Sequence, residues 1–215
     1  MDGCKVAIVV PAYNEASTIS NIIKTVREYG TPIVVDDGST DNTGFLAKES
    51  GAVLVSHIRN MGYEEALNSG FKKADELDVN FIITIDADGQ HNPILIKKFI
   101  DCFSANCDVV IGVRSKRQRF AEHLFAWYTN YFFGIKDPLC GMKAYKTSFY
   151  RTRGIFDSFR SVGTELAIFA ARNGYKINQI EFEVKDRDGK SKFGDIISGN
   201  YKIIRAMIYT MTYAK

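Results

Sequence analysis

Cysteine, proline and tryptophan are scarce in these 215 residues, at four, four and one. Cys4, Cys102, Cys107 and Cys140 form no Cys-x-x-Cys pair, and no histidine stands at zinc-finger spacing from them. That pattern excludes a disulfide scaffold and a structural zinc site, and reads as reduced, mostly packing cysteines in a cytosolic protein. No stretch approaches the roughly 20 apolar residues that a membrane-spanning helix needs. Met1-Asp-Gly-Cys-Lys5 lacks the apolar region of a secretory leader and runs straight into a strand. Repeats, low-complexity runs and linkers are absent as well. Charge of one sign is not in excess either: 28 basic against 25 acidic residues leaves +3, too mild to point to nucleic acid. The first strand leads into Pro11-Ala-Tyr13-Asn14-Glu15 with no glycine-rich phosphate turn, which argues against a Rossmann-type dehydrogenase.

What is present is an ordinary globular composition, 46% hydrophobic and 25% charged, on a chain long enough for one well-buried domain. Up to residue 113, strands alternate with helices as in a parallel sheet. The strands are expected at Val6–Val10, Ile33–Val35, Val53–Val55, Phe81–Ile85 and Val109–Val113. Ile19, Ile22, Ile23 and Val26 mark one helical face, and Ala66, Leu67, Gly70, Phe71, Ala74 and Leu77 another. A third helix follows Pro93, with Ile96, Phe99, Ile100 and Phe103 inward.

Beyond residue 120 the rhythm changes. Ala121–Phe133 is one helix crowded with aromatics, expected to be buried between the sheet and the C-terminal segments; a helix dipping into a lipid interface is the alternative. Gly141–Tyr145 and Lys176–Val184 read as strands and Thr164–Asn173 as a helix closed by Gly174. Lys185–Gly194 reads as a loop before a terminal helix from about Ile196. We expect a single domain over 1–215, with a nucleotide-binding half, 1–113, and an acceptor-binding half, 114–215.

The most informative junction is Phe81-Ile-Ile-Thr-Ile85 running into Asp86-Ala-Asp88-Gly-Gln90-His91. A buried strand here delivers two carboxylates and an amide to its carboxyl end, where ligands bind in open α/β sheets. Hard oxygen ligands of this kind suit Mg²⁺ or Mn²⁺ carrying a substrate diphosphate; taken alone, the same residues also make an ordinary turn. Two other strand ends carry polar residues. Tyr13 and Glu15 offer a ring and a carboxylate to a nucleobase. In Asp36-Asp37-Gly38-Ser39-Thr40-Asp41, Asp37 can take base or ribose donors, while Asp41 reads as the cap of a following helix. Basic residues gather at Arg114, Lys116, Arg117 and Arg119, and Lys185–Lys215 holds seven basic residues against three acidic ones. Such runs meet an anionic partner or simply face solvent.

Together these motifs resemble the family 2 glycosyltransferases of the GT-A fold, and within them the dolichol-phosphate mannosyltransferase and polyprenol-phosphate glycosyltransferase branch. Gly112-Val113-Arg114 matches that branch's Gly-x-Arg, Asp137-Pro-Leu-Cys-Gly141-Met-Lys-Ala-Tyr145 its Asp-x-x-Ser-Gly-Phe-Arg-Ala-Tyr, and Arg187-Asp-Gly189-Lys-Ser191-Lys192 its Arg-x-x-Gly-x-Ser-Lys. Asn60-Met-Gly62-Tyr63-Glu64-Glu65 departs from the Asn-x-Gly-Lys-Gly common in the third crossover. The resemblance implies a mostly parallel central sheet flanked by helices, Rossmann-like, with smaller acceptor-side elements. It also implies that Pro11, Tyr13, Glu15, Asp37 and Asp86 bind a UDP- or GDP-sugar, and that Asp86, Asp88 and Gln90 hold Mg²⁺ or Mn²⁺, with Asp88 central to catalysis. Inversion would occur in one displacement. Arg114, Arg187, Ser191 and Lys192 would place a polyprenyl phosphate, at a membrane met peripherally from the cytoplasmic side. The alternative acceptor is a saccharide hydroxyl in cell-surface glycan assembly, for which Glu165 would be the base; otherwise Glu165 is a favourable charge at a helix start. No nucleic-acid partner is expected. A non-catalytic binding module is the contrasting class, and retention of both aspartates and Gln90 argues against it.

Overall fold

The computed structural model describes residues 5–89, 94–104, 106–117, 119–184 and 196–213. Its elements run β1 (Val6–Ala12), α1 (Ile19–Val26), β2 (Thr31–Asp36), α2 (Thr43–Glu49), β3 (Val53–Ser56), α3 (Tyr63–Glu76), β4 (Phe81–Thr84) and α4 (Leu95–Ser104). They continue with β5 (Val109–Arg114), α5 (Phe120–Phe133), β6 (Lys143–Lys146), α6 (Thr147–Arg153), α7 (Glu165–Arg172), β7 (Ile177–Phe182) and α8 (Ile196–Tyr213). The seven strands form one sheet in the order β3-β2-β1-β4-β6-β5-β7. All neighbours are parallel except β6, which lies antiparallel between β4 and β5.

The strands read as unbroken apolar runs because both faces of the sheet are covered. Along β1, Ala7 and Val9 pack on one side with Leu67 and Phe71 of α3 and Phe125 of α5. Val6, Ile8 and Val10 pack on the other with Ile19 and Ile23 of α1 and Phe99 of α4. A side chain at Gly70 would run into Val9 and Val35, so the glycine lets α3 lie flat on the sheet.

Two expectations need correction. Leu77, grouped with the inward face of α3, is the residue that ends the helix and is partly exposed. The aromatic helix is buried on one side only: Ala121, Glu122, Phe125, Ala126, Tyr128 and Thr129 face inward, whereas Phe120, Trp127 and Tyr131 are exposed. The inward face already fills the gap left by the core and α8, and nothing among the described residues covers the other. Helix α6 carried no sequence expectation; it is a seven-residue helix closed by Gly154 at φ 75°.

Candidate active site

The carboxyl ends of β1, β2, β3 and β4 converge on one edge of the sheet, and hydrogen bonds lock their loops together. Asn14, in the left-handed region at φ 52°, donates its N–H to Ser39 Oγ at 2.9 Å and accepts from Thr40 N–H at 2.8 Å. Glu15 N–H donates to Thr43 Oγ1 at 2.8 Å. Thr18 Oγ1 donates to the Ala87 carbonyl at 2.7 Å, tying the first loop to the Asp86–Asp88 turn. Pro11 sits near the end of β1 opposite Val35, and Tyr13 projects, partly exposed, just beyond it. Asp41 accepts Thr43 N–H at 3.0 Å at the mouth of α2, one residue before the N-cap position, Asn42.

Asp37 is buried, and its carboxylate holds the loop after β3. Its Oδ1 accepts from Met61 N–H and its Oδ2 from Gly62 N–H, both at 2.9 Å. His57 Nδ1 lies 2.6 Å from Oδ1, and because a carboxylate only accepts, Nδ1 carries the proton. The other ring nitrogen lies 2.9 Å from Ser69 Oγ. Three of the four lone-pair positions of Asp37 are thus occupied by described residues, and one is not. Asp37→Ala and His57→Ala are both expected to weaken UDP or GDP binding, the former by about 1 to 3 kcal/mol, the range for a hydrogen-bonding group that loses its partner. Calorimetric titration with Mn²⁺ present checks this; unchanged affinity in both would place the nucleoside elsewhere.

The turn after β4 brings Asp86 and Asp88 to the same edge. Tyr63, the first residue of α3, donates its hydroxyl proton to Asp86 Oδ1 at 3.1 Å. Burial, reinforced by the Asp86 charge, holds that phenol well above its usual pKa, so it remains a donor. A Cβ at position 141 would overlap the Asp86 carboxylate, so Gly141 keeps the space over it open. Among the described residues no group of three or more His, Cys, Asp or Glu gathers as a metal cage. A donor set of two carboxylates fits Mg²⁺ or Mn²⁺, which take their remaining ligands from water and substrate phosphates. Gln90, the third expected ligand, lies outside the described residues.

Lys143 lies on β6 beside this turn, buried, its Nζ donating to the Gly163 carbonyl at 3.0 Å. Burial lowers its pKa, against the opposing pull of Cys140, Asp137 and Asp86. Hydrogen bonds cross-link the loop that receives it: Asp157 accepts the N–H groups of Phe159, Ser161 and Gly163 at 3.1 to 3.2 Å, and Glu64 Oε1 accepts Val162 N–H at 3.2 Å. Val162 is held at φ 56°, a conformation disfavoured for a β-branched residue, where this loop meets α3.

Arg114 ends β5 and is spent on an acid. Its Nε and Nη2 bind Asp137 Oδ2 and Oδ1 at 2.8 and 2.9 Å, its backbone N–H meets Oδ2 at 3.1 Å, and Glu122 stands 3.5 Å away. Burial alone would push the Asp137 carboxyl up, but the Arg114 hydrogen bonds and charge hold it below the usual range. The exposed flank of Arg114 lines an open cleft of about 650 Å³ together with Arg117, His123, Trp127, Lys136 and Glu181. Arg187, Ser191 and Lys192, the other expected phosphate-holding residues, lie outside the described residues. Glu165, at the first turn of α7, is buried with both oxygens engaged: it pairs with Arg153 and accepts Ser158 N–H at 2.6 Å and Ser158 O–H at 2.7 Å. Cys140 is buried, its thiol pushed up to about 12 by burial, in keeping with a packing role.

His57 was not singled out in the sequence, and Tyr63 and Lys143 stood there only within motif segments, with no role given to them. The first two lie at or just beyond the carboxyl end of β3, where every parallel strand in this sheet opens on the same edge. Lys143 was signalled by a lone charge inside the apolar run Met142-Lys-Ala-Tyr145.

The chain matches glycosyl transferase family 2 over residues 7–162. It belongs to that family, and is a glycosyltransferase of the kind that uses nucleotide-sugar donors. An uncharacterised protein of Methanocaldococcus jannaschii is 28% identical over 95% of this chain and 91% of its own. The UDP-N-acetylglucosamine–dolichyl-phosphate N-acetylglucosaminyltransferase of Methanococcus voltae is 33% identical, over 52% of this chain and 53% of its own. The fold is that of GT-A enzymes. Glucosyl-3-phosphoglycerate synthase from Mycobacterium tuberculosis, solved with Mn²⁺, UDP and glucosyl-3-phosphoglycerate, superposes with a TM-score of 0.75 over 99% of this chain and 80% of its own, at 21% identity.

Proposed function

We propose that this chain transfers a sugar from a UDP- or GDP-sugar to a polyprenyl phosphate, inverting the anomeric centre in one displacement. The observation that carries the choice of acceptor is the contrast between Glu165 and the Arg114 cleft. A saccharide hydroxyl needs a base, and Glu165, the carboxylate expected for that role, is engaged with Arg153 and Ser158. A phosphate is already ionised and needs cations to place it; Arg114, Arg117 and Lys136 line the cleft, and although Arg114 is held by Asp137 and Lys136 pairs with Glu181 at 2.9 Å, each carries more N–H donors than those contacts use. The dolichyl phosphate named for the Methanococcus relative supports the same reading.

In this reading Tyr13 and the remaining lone pair of Asp37 bind the nucleoside, while Asp86, Asp88 and Gln90 would hold Mg²⁺ or Mn²⁺. Bound there, the ion would supply neutralisation of the charge that develops on the leaving nucleoside diphosphate. Tyr63 keeps Asp86 oriented. The phosphate oxygen of the acceptor forms the new bond to the anomeric carbon as the bond to the donor diphosphate breaks on the opposite face, its electron pair leaving with that diphosphate. Since a polyprenyl chain resides in a bilayer, the enzyme meets its acceptor at a membrane surface, although no described helix is long and apolar enough to cross one.

Glu165→Gln tests the acceptor. Its single acceptor oxygen cannot keep all three donors that Glu165 now takes from Arg153 and Ser158, so a lower melting temperature is expected, while transfer to polyprenyl phosphate by the folded variant should stay within about threefold of wild type, short of the roughly 10²-fold that loss of a general base costs. Collapse of that transfer in the folded variant would give Glu165 a part in the chemistry and overturn the contrast on which this reading rests.

A further inference from the structure

Helices α5 and α8 carry more apolar surface than the fold consumes. On α5, Phe120, Leu124, Trp127 and Tyr131 recur at four, three and four residues, forming one stripe opposite the face that buries Phe125 and Thr129. On α8, Ile203, Ala206 and Thr210 face inward, and Tyr201, Ile204, Ile208 and Met211 form a second stripe opposite them. Trp127 is 64% exposed, Tyr131 74%, Tyr201 67% and Ile208 54%. These values are too high for a core face.

The two helices run side by side in the same direction. Near their starts, Ala121 N–H donates to Asn200 Oδ1 at 3.3 Å. Near their ends, Arg172 reaches both, stacking over the Phe133 ring at 5.1 Å and donating to the Thr210 carbonyl at 3.3 Å. With both inner faces on the core, the two stripes look outward together. The charge on these helices is one-sided: α8 holds Lys202 and Arg205 and no carboxylate, and the single acid of α5, Glu122, is turned inward and buried.

We infer that the joint α5–α8 surface docks the protein on a bilayer with anionic headgroups, its aromatic and aliphatic side chains entering the interface. The inference rests on the membrane-borne acceptor proposed above, which is what makes a bilayer the occupant. Tryptophan and tyrosine suit the headgroup level, where a ring is buried and its polar tip stays wet. Lys202 and Arg205 add attraction to anionic lipid. A second copy of the chain is disfavoured, because a two-fold contact would set this cationic face against itself. The surface also continues into the cleft described above, since Trp127 and His123 on α5 line it beside Arg114 and Arg117. A lipid headgroup at the docked interface therefore lies next to the cations proposed to hold the acceptor phosphate.

The test is co-sedimentation of the full chain with vesicles of phosphatidylcholine alone or with added phosphatidylglycerol. Binding to the anionic vesicles is expected, weakened by salt, and about tenfold or more weaker for Tyr131→Glu combined with Ile208→Glu, which places a charge in each stripe. Both positions are exposed, so the melting temperature and metal-dependent hydrolysis of the donor by water should match wild type. Transfer to vesicle-embedded polyprenyl phosphate should fall in the variant, while transfer to a short, water-soluble polyprenyl phosphate should not. Equal binding to both vesicle types, undiminished binding of the variant, or a wild-type dimer that the variant dissolves without vesicle binding would each overturn the inference. Vesicle binding by a wild-type protein that transfers nothing to polyprenyl phosphate would leave the docking surface standing and remove the acceptor reading.

Discussion

Asp88→Ala is expected to abolish sugar transfer, lowering kcat by at least the roughly 10²- to 10³-fold that loss of one developing-charge stabiliser costs. The fold should survive: Asp88 lies in a turn at the rim of the sheet, where both packed faces of apolar side chains are intact without it. Chelation of divalent metal should reproduce the loss in wild type, and Mn²⁺ or Mg²⁺ should restore it. Asp86→Ala should be as inactive and also less stable, because it strands the half-buried Tyr63 hydroxyl that now donates to Asp86. Steady-state transfer assays beside thermal melts separate the two effects. Undiminished turnover in chelator would end the assignment of these aspartates to a metal.

The largest stability effect is expected at Arg114. Arg114→Ala leaves Asp137 buried without its bidentate partner, a loss that costs about 3 to 5 kcal/mol when one member of a buried pair is removed. For a chain of this size that is a melting-temperature drop of roughly 6 to 20 °C. The sign of the pH dependence follows from the lowered pKa of Asp137 in the native protein. Its contribution is fully present above the unfolded carboxylate value of about 3.9 and is lost as pH falls through the lower native value. In the variant Asp137 can escape its isolation by taking a proton, so the deficit relative to wild type should be greatest near neutrality and shrink in acid. Arg114→Ala/Asp137→Leu should recover much of the stability without recovering transfer. A melting temperature for Arg114→Ala within about 2 °C of wild type, corresponding to less than about 1 kcal/mol, would contradict this account.

Much of the architecture was legible in the residues because it depends on neighbours. Val6–Val10, Phe81–Ile85 and Val109–Val113 are apolar runs too short for helices, and each stops at polar or turn-forming residues, so strand, end and edge could be read locally. Ile19, Ile22, Ile23 and Val26 recur at helical spacing, and they are the buried face of α1. Parallel strands all open on the same edge, so Asp37, Asp86 and Asp88 were bound to lie along it once the strands were recognised.

The partners of those residues were not legible. Asp37 is 20 residues from His57, Arg114 is 23 from Asp137, and Lys143 meets Gly163 across 20 residues. No local periodicity records such pairings. They follow from topology, above all from β6, whose antiparallel insertion between β4 and β5 brings Gly141 over Asp86. Helix α5 shows the same division. Its residues determined by themselves that it would be an aromatic helix, because spacing and propensity are properties of the segment. Which of its faces is covered was decided by where the sheet, α7 and α8 lie, since burial is a relation between elements distant in the chain.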